Sequence, residues 1–246
     1  LKNKSILIPQ KQTIKKLTTF VPKNHAAEVR KALFSADAGT IGNYNNCSFN
    51  SEGIGTYQGN ENSNPTSGEK GITYEEVEIR ISVTFAKHLE SQILTALFKS
   101  HPYEEVAYEI TTLENTNQHI GMGMLGELVS EMSENDFLNY LKSKMNASCI
   151  RHSSFLNKPI SKVAVLGGSG SFAISAAKAM GADVFVTSDL KYHDFFSAEN
   201  NILLADIGHY ESEQFTKNGL VAHLTKKITN FAVVLSKIDT NPVKYF

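Results

Sequence analysis

His209 and Glu213 stand four positions apart in DIGHYESE, directly after the apolar run ILLADI. On a helix that spacing puts both side chains on one face, with Cβ atoms about 6 Å apart. An imidazole and a carboxylate so placed make two ligands for one divalent cation, or one ligand and the partner that orients it. TSDLKYH repeats the arrangement upstream with Asp189 and His193. Earlier still, LGGSGS at 166–171 offers a glycine turn. Backbone N–H groups at Ser169 and Gly170 would there face an anionic cofactor or substrate group.

Each piece has a plainer reading. A His and a Glu at this spacing commonly mark a solvated helix start. GGSG is a tight strand-to-helix turn, and it lacks the lysine of a P-loop. Asp189 can cap a helix, and a lone histidine such as His193 is more often packed or exposed. The case for a site is that all three stretches close successive strands. Ligands collect beyond the carboxyl ends of the strands in a parallel sheet. A nitrogen and carboxylate donor set suits zinc, manganese or iron(II) better than calcium. Two protein ligands are too few, so others must come from elsewhere.

The elements that would position these groups form two regions. Over 116–246 the pattern is strand and helix in alternation. KVAVLGG, DVFVTSD, ILLADI and FAVVLSKID read as strands. SFAISAAKAMGA, LKYHDFFSAEN and ESEQFTKNGLVAHLTKKI read as helices. Ser133 is placed to cap a helix whose apolar face is Phe137, Leu138, Leu141 and Met145. This predicts an α/β domain with a parallel or mixed sheet and helices on both faces. Over 15–115 the order is strand, helix, strands, helix, strand. There Val77, Ile79, Ile81, Val83 and Phe85 alternate strictly with polar residues. That order predicts an α+β, ferredoxin-like domain. Residues 1–14 read as a linker.

The bulk numbers exclude several classes. The 246 residues carry a formal net charge of -1, with 41% hydrophobic and 20% charged residues. No basic surplus favours nucleic acid or an anionic membrane, and no apolar run reaches the roughly 18 residues of a membrane span. Cys47 and Cys149 are too few and too far apart for a disulfide framework. A reducing, cytoplasmic location is the simplest expectation.

GGSGSFAISAAKAMGADVFVTSDLKYHDFFSAENNILLADIGHYESEQF closely resembles the second half of the Nif-three-like proteins, also called GTP cyclohydrolase type-2 homologues. The closing NPVKYF is similar to that family's ending. DAGTIGNYNNCSF, NPTSGE and HPYEEVAY resemble a domain inserted in its longer bacterial members, itself similar to PII and CutA. The resemblance covers nearly the whole chain. It implies a site for two divalent metal ions (zinc, iron or manganese), with His209 and Glu213 as second-half ligands and Asp189 and His193 beside them. The remaining ligands would come from a first half carrying a His-His-Pro motif, which this sequence lacks. It further implies a metal-dependent hydrolase acting on a small molecule or nucleotide, with His193 and Asp189 as catalytic residues, His193 being the expected proton-transfer group, and toroidal homohexamers. The alternative is a metal-binding, ring-forming scaffold without turnover.

Overall fold

The structure is a computed structural model that describes residues 1–245. It divides into two compact units, Leu1–Pro9 with 118–245 and Gln10–Asn117. The chain opens in strand β1 (Lys2–Pro9). It then builds the whole second unit from β2 (Ile14–Pro22), α1 (Ala26–Ser35), β3 (Phe49–Gln58), β4 (Thr73–Ala86), α2 (Glu90–Ser100) and β5 (Tyr108–Thr112). It returns in β6 (Gly121–Met132), followed by α3 (Glu134–Met145), β7 (Arg151–His152), β8 (Ile160–Ser169), α4 (Ile174–Ala179), β9 (Val184–Ser188), β10 (Leu203–Asp206), α5 (His209–Glu213) and α6 (Thr216–Lys227).

The first unit is a six-stranded mixed sheet in the order β1-β6-β8-β9-β10-β7. β8, β9 and β10 run parallel, while β1, β6 and β7 pair antiparallel with their neighbours. Alternate side chains of the central strands point to opposite faces, as the pleat requires. Val163, Val184, Val186, Leu203 and Ala205 pack with Phe137, Leu138 and Leu141 of α3. Ala164, Leu166, Phe185 and Leu204 pack with Ile174 and Ala177 of α4. Apolar residues on both faces are what a strand covered from both sides needs. Ser133 caps α3 as its sequence predicts, accepting the Asp136 N–H at 3.1 Å.

The second unit is an antiparallel sheet in the order β3-β4-β2-β5. Ile81, Val83 and Phe85 of β4 are buried with Val29 and Leu33 of α1 and Ile93 and Leu97 of α2. Both helices therefore cover one face, the split βαβ plan that the element order predicts.

Three expectations need correction. Residues 1–14 are not simply linker, because Lys2–Pro9 pairs with β6 at the sheet edge. Only Leu7 of that strand is buried, so the sequence carries little apolar alternation to betray it. FAVVLSKID forms no strand: β7 already pairs with β10, and Phe231, Val234 and Ile238 stay exposed. The expected helix over LKYHDFFSAEN is a 3-10 helix confined to Tyr192–Ala198. Among the described residues no helix is long and apolar enough to cross a membrane. Cys47 and Cys149 are both free thiols.

Candidate functional site

Because β8, β9 and β10 are parallel, their carboxyl ends share one rim, and the chain leaves that rim three times through unusual backbone. Gly168 has φ +70°, Asp189 φ +56° and Gly208 φ +91°. Left-handed backbone is a short polar residue's or glycine's conformation. At Asp189 it breaks the helical register that TSDLKYH suggests. The next helical turn starts only at Tyr192, so Asp189 and His193 do not share a helical face. Instead the Asp189 carboxylate turns towards the following strand end. Its Oδ2 lies 2.6 Å from His209 Nδ1.

His209 opens α5, and one turn later Glu213 comes alongside as the spacing predicts. His209 Nε2 lies 3.4 Å from Glu213 Oε2. All three side chains are about half exposed. The hydrogen bond that the ring donates to Asp189 is the main reason that the imidazole is held above its ordinary pKa, with the Asp189 and Glu213 charges adding to it and partial burial opposing.

Gly168 makes room for this pair. A Cβ there would stand 2.7 Å from Glu213 Oε1 and 3.5 Å from His209 Cε1. Its backbone is pinned on both sides. Its N–H donates to Ser212 Oγ at 2.8 Å, and its carbonyl accepts from Ser188 Oγ at 2.6 Å and Thr187 Oγ1 at 3.2 Å. Thus the glycine turn does reach the site, but through Gly168. Ser169 and Gly170, the residues singled out from the sequence, do not line the cleft, and neither does Gly168 itself. Gly170 is a packing glycine, since a Cβ would fall 2.0 Å from Thr187 Oγ1.

His193 is not in the cleft lining either. It is exposed on the 3-10 helix, with its ring 5.2 Å from Tyr192 and 6.4 Å from Phe196.

Two residues that the sequence reading passed over brace the rim. Asp206, at the end of β10, is only 3% exposed. Its Oδ2 accepts the Leu190 N–H at 2.9 Å and pairs with Arg151 Nη2, and its Oδ1 accepts the Gly208 N–H at 3.1 Å. Arg151 also donates to the Leu190 carbonyl at 2.8 Å. One carboxylate thereby holds the turns after both β9 and β10. An aspartate closing LLAD was a visible signal, whereas Arg151 lies 55 positions away and had none. The C-terminal segment completes the cleft. Asn241 Nδ2 donates to the buried Glu211 at 3.3 Å, and Tyr245 lies against Gly208. The cleft, open to solvent on one side, has a volume of about 770 Å³.

A mixed sheet with helices on both faces and a carboxylate–imidazole–carboxylate row at its parallel strand ends, joined in sequence to an antiparallel α+β unit, defines the class of fold. The family described as Duf34/NIF3 (NGG1p interacting factor 3) matches residues 47–242, and the chain belongs to that family. It is 39% identical to the GTP cyclohydrolase 1 type 2 homolog of Bacillus subtilis (strain 168), over 94% of this chain and 63% of that protein. It is 36% identical to the protein of the same name from Halalkalibacterium halodurans, over 100% of this chain and 67% of that one. The chain thus spans about two thirds of the length of these relatives. A Bacillus cereus protein related to NIF3 superposes with a TM-score of 0.80 at 35% identity, covering 100% of this chain and 67% of that one. Staphylococcus aureus protein SA1388 superposes at 0.67 with 28% identity, covering 100% and 65%.

Proposed function

We propose that the cleft at the ends of β8, β9 and β10 binds divalent metal and serves a metal-dependent hydrolase of the cyclohydrolase or phosphoester class. The observation that carries this reading is the His209 imidazole set between two carboxylates, 2.6 Å from Asp189 and 3.4 Å from Glu213. His209 Nε2 and Glu213 would hold the ion. Asp189, accepting from Nδ1–H, would fix the ring's tautomer and orientation and raise its basicity.

The residues present fit such an ion. The donors are of the kind that zinc, iron(II) and manganese take. The missing side chain at Gly168 leaves space beside both of them. They do not complete a site alone, because no group of three or more His, Cys, Asp or Glu among the described residues could hold a metal. The reading therefore requires ligands from beyond those residues, and a dinuclear centre requires more of them. When bound, such an ion lowers the pKa of a coordinated water enough to supply hydroxide near neutral pH. Arg151, Asn241 and Tyr245 line the remainder of a cleft large enough for a nucleotide-sized molecule. The relatives' name, GTP cyclohydrolase 1 type 2 homolog, makes GTP the first substrate to try. On its strand order, the second unit is proposed to be of the PII or CutA type.

One observation favours a second reading, a metal-binding scaffold without turnover. His193, the imidazole expected to move protons, packs on Tyr192 and Phe196 and does not line the cleft. Metal analysis of wild type and His209→Ala, paired with a GTP turnover assay and sedimentation, separates the two. Metal and turnover lost together support the hydrolase. Metal lost and assembly altered, with no turnover in either protein, supports the scaffold. Unchanged metal content in His209→Ala removes both.

A further inference from the structure

We propose that the second unit carries a separate binding site for a small organic cation, in the cleft between the 59–71 loop and the HPYEE segment at 101–105. The cleft is open to solvent on one side and has a volume of about 300 Å³, at the small end of ligand sites. Its walls include Tyr57, Tyr103, Glu78, Glu104 and Glu105, and among the described residues no lysine, arginine or histidine lines it.

The polar atoms of its two tyrosines are already committed. Tyr57 Oη donates to the Ser67 carbonyl at 2.9 Å, and Tyr103 Oη donates to Glu78 Oε1 at 2.9 Å. What the tyrosines still offer is their rings, which meet edge to face with centroids 6.0 Å apart. Aromatic faces beside carboxylates attract a cation that carries an apolar shell. Three lining carboxylates disfavour an anion. Burial keeps the neighbouring His101 below its ordinary pKa, so it brings no competing positive charge at neutral pH.

The walls are held in place rather than merely adjacent. Asn64 N–H donates to Glu104 Oε1 at 2.7 Å, and Thr66 Oγ1 donates to the Pro102 carbonyl at 3.1 Å, which ties the loop to the HPYEE segment. Gly55 lets Glu78 lie flat across the sheet, because a Cβ there would stand 2.2 Å from Glu78 Oε2.

The test is titration of the whole chain with choline, followed by tyrosine ring resonances. 3,3-Dimethylbutan-1-ol, the uncharged analogue of the same shape, is titrated in parallel. Saturable choline shifts at Tyr57 and Tyr103 are expected, with the alcohol weaker by about tenfold or more. Glu78→Gln keeps the side-chain volume and an acceptor for Tyr103, so it is expected to fold and to weaken choline about tenfold. Gly55→Ala removes neither ring nor charge and should also weaken it. Equal binding of choline and the alcohol would overturn the proposal. So would choline binding that Glu78→Gln leaves unchanged. Absence of saturable shifts with both choline and 1,4-diaminobutane in folded wild type would do the same.

Discussion

Asp189 meets His209 across the ends of two neighbouring parallel strands, Oδ2 to Nδ1 at 2.6 Å, and it does so from left-handed backbone. If this contact orients a metal ligand, Asp189→Asn should leave the fold intact. Metal affinity should fall about 10- to 100-fold, the usual loss for a ligand's orienting partner. Zinc titration calorimetry on both proteins measures it. Equal affinities would leave Asp189 as a turn residue only.

Gly168 and Gly170 separate geometry from packing. Gly168→Ala puts a methyl against Glu213 and strains left-handed backbone, at a cost of about 1–2 kcal/mol. It should lower stability and metal binding together. Gly170→Ala collides with Thr187 instead, in ordinary backbone. It should lower stability while the folded fraction binds metal normally. Denaturant melts and zinc titrations of the two variants give the comparison.

Removing Arg151 strips one donor from a buried carboxylate, although two backbone N–H groups still reach Asp206. Arg151→Ala is expected to cost about 1–3 kcal/mol. Adding Asp206→Asn should recover part of that loss, because the uncompensated charge goes with it. A double-mutant cycle by chemical denaturation reads the coupling. Additive effects would mean that the pair contributes nothing of its own.

His101 makes the second unit acid-sensitive. It is buried, Nε2 lies 3.0 Å from the Phe20 carbonyl, and Nδ1 accepts the Tyr103 N–H at 3.1 Å. Both contacts suit the neutral ring, and burial holds its pKa below the ordinary value of 6.5. Below that pH the unfolded chain binds the proton more readily than the folded one. Stability therefore is fully present above pH 6.5 and falls as pH drops from there to the lower folded pKa. Amide exchange in β2 and β4 should accelerate over that window in wild type. His101→Gln, which has no titrating group, should show a flatter profile.

Much of this was legible because periodicity reports burial. The alternation in β4, the apolar runs of β8, β9 and β10, and the Ser133 cap each follow from local rules. His209 and Glu213 met as their spacing predicts, since α5 is helical from its first residue. What stayed hidden depends on distant partners or on single backbone angles. TSDLKYH looks like a helical start, and only the positive φ of Asp189 redirects its carboxylate. The role of Arg151 exists only once β7 lies beside β10. FAVVLSKID has a strand's composition but found no partner strand. LKNKSILIP has little apolar pattern, yet it pairs because β6 presents a free edge.

The Pro9–Gly121 pairing has a consequence for the architecture. The strands that lead into and out of the second unit zip together up to the point of departure, and Gly121 allows the close approach, since a Cβ there would be 2.3 Å from the Ile8 carbonyl. Topologically, residues 10–117 are an oversized hairpin loop, so gaining or shedding them need not disturb a single ladder hydrogen bond of the host sheet. Such a junction is a natural port for domain grafting, in evolution or at the bench.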